Sequence, residues 1–172
     1  FGRIGAAAAA SVLLKLNPEA VVHALGAAAT QASGLAASFG TMAKPFHGGK
    51  AAMDGIIAAQ LAAKEFRAAT GLLEPGGGLD TALIQDRSAT IRPADFSGWE
   101  ILDNSFKPYA ACHLTHPAID AAKEIRQASP DAARARAIRV DVGTLAKQVT
   151  GEKSGEPSTP LAGKFDLKYC VA

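Results

Sequence analysis

The feature that most restricts how this chain can fold is a series of alanine-rich stretches with helical periodicity. Residues 4–16 are predicted to form the first helix. Residues 18–32 and 50–70 each place small or apolar side chains on one stripe, and the last of these shows the period most clearly. Alanine favours helix because its side chain loses no rotamer freedom on folding. Small side chains also let helices approach closely, so we expect a layer of tightly packed helices in the first part of the chain.

Local signals mark where these helices begin and end. The triplet Asn17-Pro18-Glu19 ends the first helix and starts the second, because Asn caps well, Pro suits the first helical position and Glu suits the positive helix start. Residues 34–49 are rich in small side chains, and Pro45 disfavours helical geometry in Lys44. We therefore expect a loop there, and a short helix over residues 79–84.

The pattern of apolar and polar residues changes after residues 85–98, which are polar and irregular and look like a connection. Residues 99–109 alternate between apolar and polar side chains and predict a strand, and residues 138–142 form a strict period-two pattern typical of a second strand. Helices are expected over residues 115–127 and from residue 164 to 172. The sequence thus predicts a mainly α fold with an α+β part: a helical segment followed by a mixed one.

Composition and charge exclude several classes of protein. The chain is 48% hydrophobic and 20% charged, which is typical of a globular protein, and its net charge of +2 argues against a nucleic-acid-binding stripe. The longest uncharged run near the start, residues 4–14, is far shorter than the roughly 20 residues that a membrane helix needs. We therefore expect neither a nucleic-acid partner nor a membrane span.

The two cysteines, Cys112 and Cys170, do not form a recognisable metal motif. The chain has no CxxC or HExxH spacing, so neither a zinc site nor an Fe–S cluster is expected. Two scattered thiols suit a reducing compartment, which predicts a cytoplasmic protein. The chain opens on Phe1 and stops within an apolar run, so we expect it to be a piece of a longer polypeptide.

The first segment whose side chains could bind a ligand or catalyse a reaction is Met42-Ala43-Lys44-Pro45-Phe46-His47-Gly48-Gly49-Lys50. It is expected to place Lys44 and His47 on a tight loop at a helix N-terminus, where free backbone N–H groups and the helix dipole attract anions. Such a loop could hold a carboxylate. The alternative is an ordinary charged surface loop, which composition alone favours.

The second segment, residues 104–117, concentrates groups that donate or accept protons or bind anions. Within ten residues it holds Lys107, Tyr109, Cys112, His113 and His116. His113 and His116 are three residues apart and would share a face of a helix. A metal site needs more ligands than these two, so none is predicted. The alternatives are a core histidine for His113 and a small buried thiol for Cys112.

Both segments carry a resemblance to the MmgE/PrpD family. Ala43-Lys44-Pro45-Phe46-His47-Gly48-Gly49 resembles the family's first signature, and Phe106-Lys107-Pro108-Tyr109 with Thr115-His116-Pro117-Ala118-Ile119-Asp120-Ala121 resembles its second. The final segment, from Lys164 to Tyr169-Cys170-Val171-Ala172, is similar to a third. The chain departs from the family pattern at Ala110-Ala111, where relatives often carry Pro-Cys.

The resemblance implies a two-domain enzyme with its active site in the cleft between the domains. Residues 1–98 would be the C-terminal part of an all-helical domain, and residues 99–172 a segment of an α+β lid domain. Members are usually homodimers that need no metal or organic cofactor. Their activities include 2-methylcitrate dehydration, cis-aconitate decarboxylation and iminodisuccinate epimerisation.

Carried over position by position, the resemblance assigns candidate site residues. The candidates for catalysis are Lys44, Lys107, Cys112, His113 and Tyr169, and those for substrate binding are His47 and His116. We expect the two lysines to bind substrate carboxylates and stabilise an enolate-like intermediate, while His113 or Tyr169 moves a proton.

Three functions remain open from the sequence. The preferred one is a lyase that dehydrates a hydroxy-tricarboxylate such as 2-methylcitrate. An isomerase, epimerase or decarboxylase acting on a similar polycarboxylate is the second. The third is a non-catalytic helical module whose lysines and histidines are incidental.

Overall fold

A computed structural model describes residues 1–86, 88–89, 95–152 and 155–172. The chain separates into two compact units. The first unit contains Phe1–Leu35 and Pro45–Gly98, and the second contains Ala36–Lys44 and Trp99–Ala172. No helix in the described ranges is both long and apolar enough to cross a membrane.

Three helices build the core of the first unit. They are α1 (Gly2–Leu13), α2 (Pro18–Ala29) and α3 (Ala43–Ala62), of which α3 contributes its residues from Pro45 onward. The short helix α4 (Leu79–Leu83) follows, as the sequence predicts. Asn17 caps α2 as expected, since its side chain accepts a 2.9 Å hydrogen bond from the backbone N–H of Ala20.

Alanine fills the interior between these helices. The fully buried apolar residues in the described part of this unit share a single methyl side chain: Ala7, Ala24, Ala28, Ala29, Ala58 and Ala59. Gly55 lets α3 approach α1, because a Cβ atom at that position would lie 2.5 Å from the Ala6 Cβ and 2.6 Å from the Arg3 carbonyl oxygen. The expectation of closely packed helices is therefore confirmed.

A buried carboxylate joins the same two helices. Asp54 on α3 accepts a 2.7 Å hydrogen bond from Arg3 Nε on α1, and it also pairs with Lys50 one turn earlier on its own helix. The hydrogen bonds from Lys50 and then from Arg3 lower the pKa of Asp54 below its ordinary value. The charge is thus buried with two cationic partners.

Helix α3 begins earlier than the sequence predicts and also ends earlier. The expected loop over residues 34–49 is wrong in its second half, because Ala43 already starts the helix and His47 lies within it. Proline is tolerated in a first helical turn, where its missing N–H would have no intrahelical partner. The helix stops at Ala62, and Glu65 then adopts a left-handed backbone with φ of 64°.

The second unit is built on helix α5 (His116–Ala128), which the sequence predicts to within one residue at each end. The remaining helical elements of the unit are short. In the described part of the unit, they are 3₁₀ helices at Ala36–Ser38, Glu100–Asp103, His113–Thr115 and Pro130–Arg134, helix α6 (Thr144–Ala146), a π-helix at Lys147–Gly151, helix α7 (Pro160–Gly163) and helix α8 (Leu167–Val171).

The predicted α+β character of this unit is wrong, since the described residues contain helices and irregular segments but no strand. Residues 99–109 contain the 3₁₀ turn Glu100–Asp103, whose Ile101 and Leu102 are exposed. Residues 138–142 line an apolar groove of about 750 Å³ along α5. A strand requires a neighbour to pair its backbone groups, and alternation in one segment cannot supply that neighbour.

Candidate functional site

A four-residue turn over residues 163–166, called the hub turn below, gathers several of the candidate residues in the second unit. Phe165 is buried in it, and the Lys44 ammonium lies 4.9 Å from the centroid of the Phe165 ring and 5.3 Å from that of Phe39. The faces of aromatic rings attract a cation without using its hydrogen-bond donors. The Lys44 ammonium is therefore held in position while its protons remain available for an anion.

The hub turn also fixes both cysteines and Tyr169. The backbone N–H of Cys112 donates to the Lys164 carbonyl oxygen at 2.8 Å, and Cys170 Sγ donates to the Gly163 carbonyl oxygen at 3.3 Å. The Tyr169 ring lies against Gly163, where an added Cβ would be only 2.8 Å from a ring carbon. Burial raises the pKa of the Cys170 thiol, which therefore favours its neutral form.

Lys107 and His116 meet at one carbonyl oxygen, that of Ala111. Lys107 Nζ donates to this oxygen at 3.2 Å, and His116 Nε2 lies 3.4 Å from it. One proton of the ammonium is used in this contact, so two remain for another acceptor. The shared carbonyl oxygen brings an ammonium group and an imidazole side by side.

His116 belongs to a stack of aromatic rings at the start of α5. The imidazole rings of His113 and His116 stack with centroids 5.0 Å apart and an angle of 9° between their planes. The Tyr109 ring meets His116 edge-on, with centroids 5.2 Å apart. His116 is buried whereas His113 is exposed. A ligand could therefore reach His113 directly, while packing fixes His116 behind it.

Two charged residues, Asp120 and Lys123, lie beside Tyr109 and were not among the candidates predicted from the sequence. The Tyr109 hydroxyl donates to the Asp120 carboxylate and accepts a 3.2 Å hydrogen bond from Lys123 Nζ. This bond with Tyr109 raises the pKa of Lys123. His116, Asp120 and Lys123 are spaced by four and then three residues, so helical periodicity alone could have placed them on one face.

An open cavity of about 920 Å³ lies beside the hub turn within the second unit. The segment from Phe39 to Met42 forms part of its wall, and the hub turn contributes Lys164 and Asp166. Its volume falls within the usual range for sites that bind small molecules.

Six of the seven candidate residues lie in the second unit: Lys44, Lys107, Cys112, His113, His116 and Tyr169. The seventh, His47, belongs to the first unit, where its ring lies beside Gly34. Among the described residues, no group of three or more His, Cys, Asp or Glu side chains is placed to hold a metal ion. The chemistry of the cluster is that of ammonium and imidazole groups, which suit an organic anion.

Comparison with known protein families identifies the class of protein to which the chain belongs. The model of the MmgE/PrpD N-terminal domain matches residues 1–92, and that of the MmgE/PrpD C-terminal domain matches residues 109–172. The chain belongs to the MmgE/PrpD family.

Curated relatives extend the comparison to individual proteins. The chain is 28% identical over 188 residues to a cis-aconitate decarboxylase of Aspergillus terreus (strain NIH 2624 / FGSC A1156), a match that covers 100% of this chain and 38% of the relative. It is 34% identical over 129 residues to a cis-aconitate decarboxylase of Homo sapiens, covering 73% of this chain and 27% of that relative. The chain thus spans well under half the length of these relatives.

Proposed function

We propose that the protein containing this chain is a lyase that acts on a small tricarboxylate. The observation that carries the proposal is the meeting of Lys107 and His116 at the Ala111 carbonyl oxygen, with His113 stacked on His116. This places a fixed positive charge beside a group able to move a proton. Both are needed when a reaction develops negative charge next to a carboxylate.

The names of the two relatives support decarboxylation as the reaction, since both are cis-aconitate decarboxylases. In such a step the bond between carbon and the departing carboxylate breaks, and its electron pair shifts toward a neighbouring carboxylate. Carbon dioxide leaves, and a proton then adds to carbon. Lys107 would stabilise the transient negative charge, and His113 would deliver the proton because its ring is the exposed member of the pair.

Lys44 would bind a second carboxylate of the same substrate. Its ammonium is held over the Phe165 and Phe39 rings, and the adjacent hub turn lines the cavity in the second unit. A tricarboxylate carries several anionic groups, so two fixed lysines would orient it as well as attract it. Dehydration of 2-methylcitrate would use the same groups, with water rather than carbon dioxide leaving.

Incubation of the intact protein with cis-aconitate and with 2-methylcitrate, followed by proton NMR, separates these reactions. Loss of carbon dioxide from cis-aconitate is the expected result, and loss of water from 2-methylcitrate would favour the dehydratase. Lys107→Ala and Lys44→Ala should each lower kcat by about 10²–10³-fold, as the loss of one stabilising donor does elsewhere.

Lys147→Ala provides the matched control, because Lys147 is an exposed lysine of the same unit. Its turnover should equal that of the wild type. Near-normal turnover in both Lys107→Ala and Lys44→Ala would contradict the assigned roles. Absence of reaction with every polycarboxylate offered would contradict the lyase itself.

A further inference from the structure

Helix α5 presents three polar side chains on one face, and Tyr109 lies across them. His116 stands in the first turn, Asp120 one turn later and Lys123 in the turn after that. The hydroxyl of Tyr109 contacts both Asp120 and Lys123, and its ring packs edge-on against His116. The Lys123 ammonium also lies 5.1 Å from the centroid of the Tyr109 ring. Tyr109 thereby contacts α5 at three successive turns.

These contacts matter because Tyr109 belongs to the loop that carries Lys107 and Ala111. The Ala111 carbonyl oxygen is the shared partner of Lys107 and His116, so its position depends on how the loop is anchored. A carbonyl oxygen only accepts hydrogen bonds. The contact at 3.4 Å therefore requires a proton on His116 Nε2, which in the neutral ring leaves the lone pair on Nδ1.

We propose that Tyr109, Asp120 and Lys123 form a clamp that holds the loop on α5 and thereby fixes His116 in its Nε2–H tautomer beside Lys107. The clamp residues are positioning residues, since they act through His116 and Lys107. Their relevance to a reaction rests on the function proposed above, whereas their effect on the imidazole does not. The two parts can be tested separately.

The tautomer of His116 can be read in the intact protein labelled with ¹⁵N-histidine. Two-bond ¹H–¹⁵N correlations distinguish a ring protonated at Nε2 from one protonated at Nδ1 or from a mixture. The wild type should show the Nε2–H pattern for His116, assigned with His116→Gln. Tyr109→Phe, which keeps the ring and removes only the hydroxyl, should convert this pattern to a mixture of tautomers.

Conservative variants distinguish a loss of the clamp contacts from a general loss of protein stability. Asp120→Asn retains an oxygen that can accept from the Tyr109 hydroxyl and should keep the wild-type pattern, whereas Asp120→Ala should behave like Tyr109→Phe. Lys123→Met should shift the pattern in the same direction. Arg126→Met removes an exposed cation from the next turn of α5 and should leave His116 unchanged.

Binding of cis-aconitate, measured by isothermal titration calorimetry, tests the link to function. Tyr109→Phe should weaken binding by about tenfold, because Lys107 and the imidazole pair lose their fixed arrangement. An unchanged tautomer in Tyr109→Phe and Asp120→Ala would overturn the clamp whatever the binding result. A shifted tautomer in a protein whose wild type binds no cis-aconitate would support the clamp and contradict the proposed function.

Discussion

Arg3 and Asp54 form a 2.7 Å ion pair although 51 positions of sequence separate them. Their side chains are only 12% and 5% exposed, and Lys50 approaches the other carboxylate oxygen. The pair joins the start of α1 to the middle of α3, in an interior whose buried apolar side chains, among the described residues, are alanines. A charge placed there requires both cations, because removal of either leaves a buried carboxylate poorly compensated.

The stability of the first unit should therefore fall on acidification. Hydrogen bonds from Lys50 and Arg3 lower the pKa of Asp54 in the folded state below its ordinary value of 3.8. This contribution is complete above the unfolded pKa and is lost as the pH falls through the folded pKa. Unfolding midpoints in urea, measured between about pH 6 and pH 3, should decline for the wild type.

Asp54→Asn supplies the comparison for this pH dependence. The variant should be less stable than the wild type near neutral pH, and its stability should change less on acidification. Two curves that run parallel across the whole range would show that Asp54 makes no such contribution.

Two glycines of the same helix should respond oppositely to substitution by alanine. A Cβ at Gly55 would lie 2.6 Å from the Arg3 carbonyl oxygen and 2.7 Å from the Ala7 nitrogen, so Gly55→Ala should destabilise the first unit by about 1–3 kcal/mol. A Cβ at Gly49 meets no atom within 4 Å, so Gly49→Ala should stabilise the helix by up to about 1 kcal/mol. Urea titration followed by circular dichroism measures both changes.

Comparing Gly55→Ala with Gly49→Ala separates the effect of close packing from that of helix propensity, because both substitutions raise helix propensity and only the first places a Cβ against α1. If the two variants shifted the unfolding midpoint in the same direction, the close approach of α1 and α3 would not be the controlling factor.

Cys170 should be a slow target for alkylation in the folded protein. Burial raises the pKa of its thiol, and the thiol donates to the Gly163 carbonyl oxygen, so little thiolate is available to react. In a Cys112→Ser background, iodoacetamide at about pH 8 should label Cys170 more slowly than it labels the same protein unfolded in urea. Mass spectrometry of the peptide that contains Cys170 gives both rates. Equal labelling rates in the folded and unfolded protein would show that the fold does not protect the Cys170 thiol.

The helices that could be predicted are those whose signals are local. Asn17 and Pro18 mark the start of α2, and the Thr115-His116-Pro117 triplet marks the start of α5, because capping and proline effects act within one turn. The start of α3 at Ala43 could not be predicted, since Pro45 and two glycines oppose helix in that region. Packing of its later residues on α1 and α2 offsets those local preferences.

In the candidate site too, features set by neighbouring residues could be predicted from the sequence, whereas contacts between distant segments could not. Sequence motifs marked Lys107, His113 and His116 as candidates, and the helical spacing of Asp120 could be seen in the sequence as well. The bond from Cys112 to Lys164 and the packing of Lys44 on Phe165 join segments far apart in the chain. No periodicity or capping rule reports such contacts, so the hub turn emerged only from the structure.

The hub turn has a consequence for how this protein can change over evolutionary time. Its four residues, 163–166, are contacted by side chains or backbone groups from several parts of the chain: Phe39, Lys44, Cys112, Tyr169 and Cys170. Inserting one amino acid into the turn would therefore displace Lys44, Cys112 and Tyr169 together. Such an insertion would move these candidate side chains while leaving every one of them unchanged. Turn length, and not residue identity alone, would then distinguish descendants that share an identical set of lysines, histidines and cysteines.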